Sequence, residues 1–128
     1  MKEEQIRLYL NGLMNMASSL SSSIGPSYIM VDCYKKTRFK KESNINEIIP
    51  TTLSFSEKLK EWFGEDKKTI ESILYWTKSK IKEEIKIYEI DSKEYEKIEK
   101  YTPFYIIDDI FVLVTKQYMI LYILGNNE

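Results

Sequence analysis

The sequence predicts an α+β fold: a mainly antiparallel sheet of four to five strands with helices packed on it, headed by a long N-terminal helix. Three observations carry this. Apolar residues recur at helical intervals near the N-terminus, capped helical segments occupy the middle, and the last quarter is a run of β-branched, aromatic and aliphatic residues broken by turn formers. At 128 residues the chain is expected to form a single domain, 1–128.

Each element follows from local chemistry. Over residues 3–20, Ile6, Leu10, Leu13, Met14 and Ala17 form an i, i+4, i+7, i+8, i+11 stripe, with Leu20 one turn on. Glu3 and Glu4 suit the positive end of the helix dipole, and the serine run 18–23 with Gly25 and Pro26 ends the helix. Tyr28–Tyr34 reads as a strand because it follows a Gly-Pro break and is mostly β-branched, aromatic or apolar. Residues 35–52 have no period and read as the longest loop. Ser54 and Glu57 are spaced as a capping box for a short helix with Phe55, Leu59, Trp62 and Phe63, closed by Gly64. Asp66 can cap a following helix to about Glu84, with Ile70, Ile73, Leu74, Thr77 and Ile81 as its buried stripe. Ile85–Ile90 reads as a strand, and 91–94 as the start of a short helix that Pro103 stops.

The tail predicts two or three antiparallel strands within 104–107, 110–115 and 118–124, with turns near Asp108-Asp109 and near Lys116-Gln117. Ile110, Val112 and Val114 share one face and Phe111 and Leu113 the other. Tyr118, Ile120, Tyr122 and Leu124 oppose Met119, Leu121 and Ile123. Both faces are apolar, so both must be covered. The short helices supply little surface for two faces, and the expectation is that a partner chain or a second copy covers one of them.

Nineteen basic and twenty acidic residues nearly cancel, which argues against a general nucleic-acid binder. Glu3 and Glu4 spoil a secretory leader, and Asp108, Asp109 and Lys116 interrupt the most apolar stretch, 104–124, so no membrane span is expected. A cytoplasmic location is the default, and one cysteine excludes an intrachain disulfide. The absence of histidine removes the Ser-His and Cys-His nucleophile pairs and the commonest metal ligand. No metal site and no cofactor are expected.

Lys35, Lys36, Arg38, Phe39, Lys40 and Lys41 interleave cations with an aromatic beside Tyr34, a pattern that can hold phosphates and stack a base. The same run reads more readily as a solvated loop with Phe39 in the core, since no wider basic surface accompanies it. Asp108-Asp109, with Asp32, offers too few oxygens for a hard cation and fits a turn better. Cys33 could be activated by Lys35 and Lys36, but in an apolar strand it reads as a small buried hydrophobe. Glu83-Glu84 and Glu94 with Glu96 resemble solvated helix faces rather than acid–base pairs. The glycines stand singly, so no phosphate-cradling loop exists. Trp62 and Trp76 are candidate interface anchors, with Trp76 off the buried stripe, and Tyr118, Met119 and Tyr122 join them from the hairpin.

These residues predict a small non-enzymatic protein-interaction module of inhibitor, immunity or regulatory type, acting on a protein partner or by self-association. The alternatives are a nucleic-acid-associated protein using 35–41 and a small-molecule-binding domain.

Overall fold

The computed structural model describes residues 2–21, 25–99 and 106–126. Helix α1 (Lys2–Leu20) leads into strand β1 (Tyr28–Lys35), a single 3-10 turn (Lys36–Arg38), α2 (Phe39–Ser43) and β2 (Ile48–Pro50). Helices α3 (Phe55–Phe63) and α4 (Lys67–Lys80) follow, then β3 (Lys86–Ile90), a second 3-10 turn (Ser92–Glu94), α5 (Tyr95–Glu99), β4 (Ile106–Val114) and β5 (Tyr118–Asn126). The five strands form one antiparallel sheet in the order β1-β5-β4-β3-β2. The α+β fold and the long first helix are as the sequence predicts.

The helix boundaries follow their caps. The Ser54 hydroxyl accepts from the Glu57 amide at 3.1 Å, and the Glu57 carboxylate accepts from the Ser54 amide at 3.1 Å, a closed capping box. Gly64, at φ +57°, ends α3 with its N–H on the Lys60 carbonyl. The Asp66 carboxylate accepts from the Thr69 amide and starts α4. The helix stops at Lys80, four residues before the sequence places its end, because Ile81 turns into extended backbone to reach the core.

Both faces of the sheet are covered within one chain. On one face Phe111, Leu113, Tyr118, Ile120, Tyr122 and Leu124 meet Ile6, Leu10 and Met14 of α1, Phe55, Leu59 and Phe63 of α3, and Ile70 and Ile73 of α4. On the other, Ile110, Val112, Met119, Leu121 and Ile123 lie under Phe39, Ile45 and Ile98, with Tyr28, Met30, Tyr34, Tyr88 and Tyr95 packed around them. The alternation of the hairpin is as the sequence predicts, but the expected shortage of cover does not exist. Five-residue helices and a loop isoleucine suffice, because large side chains from β1 and β3 extend over the second face beside them.

Three further expectations are corrected. Residues 35–52 are not one loop: they hold the end of β1, a 3-10 turn, α2 and β2. Only Phe39 of α2 buries, and β2 has three residues, so neither element leaves a readable period. Asp108-Asp109 is not a turn. Strand β4 runs straight through it, with a register shift between Ile107 and Asp109 that absorbs one extra residue. The tail therefore holds two described strands, joined at Lys116-Gln117 as expected. Pro103 and the first part of 104–107 lie outside the described residues.

Candidate functional site: an apolar groove between two helices

Helix α1 carries two apolar stripes. Ile6, Leu10 and Met14 bury against the sheet. The second stripe, Tyr9, Leu13, Met16 and Leu20 with Gly12 among them, is turned toward α4 by about a quarter of the helix circumference. Across from it stand Lys68, Thr69, Ser72 and Trp76 of α4. Between the helices lies a groove of about 620 Å³ lined by these residues and Ala17. It is open to solvent: Met16 is 60% exposed, Leu20 76% and Trp76 48%. The ring of Trp76 meets that of Tyr75 edge-on at 5.0 Å, which holds it in place. The Lys80 ammonium lies 5.2 Å from the Tyr9 ring centre. Gly12 opens the wall, since a Cβ there would have nothing within 4 Å.

Of the sequence-predicted anchors, Trp76 alone lies on this groove. Trp62 is half-buried and donates its indole N–H to Asp109 at 3.1 Å. Tyr118, Met119 and Tyr122 are corrected: all three are buried inside the chain, Tyr122 completely, and none stands out as an exposed anchor. Tyr122 stacks on Phe111 with ring centres 4.9 Å apart, and burial pushes its hydroxyl pKa far up. Leu20, read as an extension of the core stripe, is exposed, and Leu13 and Ala17 are half-buried. Tyr9, Gly12, Met16, Lys68, Thr69 and Ser72 are the groove residues that sequence reasoning missed. The signal was present as a second i, i+4, i+7, i+11 series from Tyr9, absorbed at Leu13 and Leu20 into the first.

The basic run is dispersed. Lys35 and Arg38 pair with Glu3 at 3.8 and 3.6 Å, and Arg38 also with Glu42 at 3.6 Å. Phe39 is buried and meets Tyr34 edge-on at 5.6 Å, so it is no stacking platform. Lys36, Lys40 and Lys41 remain exposed.

The acidic candidates have structural partners. Asp32 accepts from the Tyr34 hydroxyl and its side chain also caps the Cys33 amide; strand β5 separates it from Asp108 and Asp109 on β4. No group of three acidic, histidine or cysteine residues suited to a metal occurs among the described residues. Glu83 accepts from the Gln117 amide and side chain, clamping the β4–β5 turn. Glu94 is buried, paired with Lys97 at 2.8 Å, and accepts from the Asn46 amide. Burial, with Glu3 and Asp32 nearby, pushes the Cys33 thiol pKa up to about 12, so the cations next to it in sequence do not activate it.

Lys58 is a further residue that sequence reasoning missed. It is 3% exposed on the inner face of α3 and holds Asp109 at 2.8 and 3.0 Å, with Glu61 and Glu89 each at 3.5 Å. Burial opposes its charge, but the Asp109 hydrogen bonds and the three carboxylates outweigh it and raise its pKa. The bulge in β4 aims Asp109 at this lysine. The cluster ties α3 to the sheet. Its position at i+3 from Phe55 and i+4 before Trp62 places Lys58 on the apolar face, a signal that the spacing did contain.

Fold and site together define an α+β protein with a sheet sealed on both faces and an open apolar groove between its two longest helices. No protein family, curated protein or solved structure matches the chain. No helix among the described residues is long and apolar enough to cross a membrane.

Proposed function

We propose that the chain is a protein-interaction module that acts by docking a partner protein in the α1–α4 groove, through occlusion or assembly rather than chemistry. One observation carries this reading. A groove of about 620 Å³ keeps Met16, Leu20 and a braced Trp76 in water, although the same chain finds cover for every face of its hairpin. Trp is the commonest interface anchor, and methionine adapts its shape to what it meets. A bound small molecule would be left largely in solvent along so open a channel, whereas a protein element would close it. The nucleic-acid reading retains Lys36, Lys40 and Lys41 and loses its aromatic. Lone Cys33 fits a reducing compartment, and the cytoplasm is the proposed place of encounter.

A photoreactive amino acid at Met16, in cells of origin, tests the proposal against a control at Glu71 on the solvent side of α4. The expected result is a discrete protein adduct at Met16, absent at Glu71 and lost when Gly12→Leu fills the groove. Equal adducts at both positions, or none at Met16, contradict it.

A further inference from the structure

We propose that the groove takes an amphipathic helix of a partner protein, flanked by acidic residues, which crosses α1 at Gly12. The proposal rests on reading the groove as a docking surface and names its occupant. Three observations support it.

The first is shape. From Tyr9 to Leu20 the groove wall spans twelve residues, about 16 Å from end to end, which matches three turns of a docked helix. The second is charge. The lining holds Lys68 and no carboxylate, and Lys80 stands over Tyr9 at its edge. Of the four lysines of α4, Lys68 and Lys80 border the groove while Lys67 and Lys78 share the far face with Glu71, and neither Lys68 nor Lys80 forms an ion pair among the described residues. An acidic flank complements this rim. A second copy docked face to face would bring two rims of the same positive sign together, with no carboxylate in either lining to offset them, and like charges oppose it.

The third is Gly12. Glycine is the poorest helix former after proline, yet it sits inside α1 with open space where its Cβ would be. No packing among the described residues requires it there. A helix crossing at that point does, because two backbones approach closely only where a side chain is missing.

Fluorescence anisotropy with labelled synthetic helices of about twelve residues reads the outcome. The helices share one leucine seam and differ only in acidic, neutral or basic flanks. The acidic helix is expected to bind the full-length protein about tenfold more tightly than the basic one, with the gap closing at high salt. Lys68→Glu reverses the ranking. Gly12→Ala raises Tm by about 4 °C yet weakens the acidic helix about tenfold, so lost folding cannot explain lost binding. Equal binding of the three helices, no binding, or unchanged affinity in Gly12→Ala overturns the proposal. A Met16 adduct found together with a basic-helix preference leaves the docking surface standing and removes this occupant.

Discussion

At Gly125 an added Cβ would sit 2.2 Å from the Ile106 carbonyl oxygen, because the bulged end of β4 crowds β5 there. At Gly12 it would meet nothing. The same substitution therefore acts in opposite directions. Gly125→Ala is expected to destabilise by about 2 kcal/mol or more, through a backbone clash that no rotamer relieves. Gly12→Ala is expected to stabilise by up to about 1 kcal/mol. Urea denaturation of both variants checks the pair, and a loss at Gly12 would mean that α1 does not lie as described.

Lys58 is the other residue on which much depends. Lys58→Met leaves Asp109 facing Glu61 and Glu89 without a counter-ion and is expected to cost about 3 kcal/mol. Adding Asp109→Leu restores part of that loss, since the stranded charge is then gone. The pH dependence has a definite sign. A lysine held above its ordinary value of 10.5 contributes fully below that value and loses its contribution as pH climbs through the higher native one. The stability gap between wild type and Lys58→Met should be constant from neutral pH to about pH 10 and narrow above it. A gap that narrows in acid alone would place the stabilisation on another group.

The edge of β1 shows how elements depend on one another. Its outward amide at Val31 donates to the Asn11 side chain at 2.9 Å, and the Asn15 side chain donates to the Ile29 carbonyl at 3.4 Å. Two asparagines one turn apart on α1 thus occupy groups that a passing strand would otherwise pair with. The opposite edge, β2, is three residues long and ends in Pro50. Replacing Asn11 and Asn15 together with alanine is expected to cost about 1–2 kcal/mol and to produce concentration-dependent association through β1, seen by light scattering. A double variant that stays monomeric would show that the asparagines do not guard the edge.

Elements with a long period or a side-chain cap were legible in the sequence. The first helix, the capping box at Ser54–Glu57, the stripe from Ile70 to Ile81 and the two-faced hairpin all follow from spacing. Elements held by one or two distant contacts were not. Helix α2 exists because Phe39 reaches the far core, and β2 because it pairs with β3. The Asp108-Asp109 bulge was hidden because a pair of aspartates reads as a turn, and only the lysine on α3 gives Asp109 a reason to sit within a strand. The groove was illegible for a different reason: sequence spacing shows that α1 has apolar faces, but not which of them the fold leaves uncovered.

For the whole molecule the central point is that the chain seals its own sheet. The apolar hairpin does not call for a partner, and the exposed apolar surface lies instead in the α1–α4 groove, where the proposed docking takes place. These two statements stand together, because a hairpin covered by a second copy would make the groove a side feature. The most direct test is amide hydrogen exchange in β4 and β5 from high to low micromolar protein, with mass measured by light scattering. The account predicts a monomer throughout, with protection of both strands unchanged by dilution. Protection that falls as a dimer dissociates would contradict it and return the interface to the hairpin.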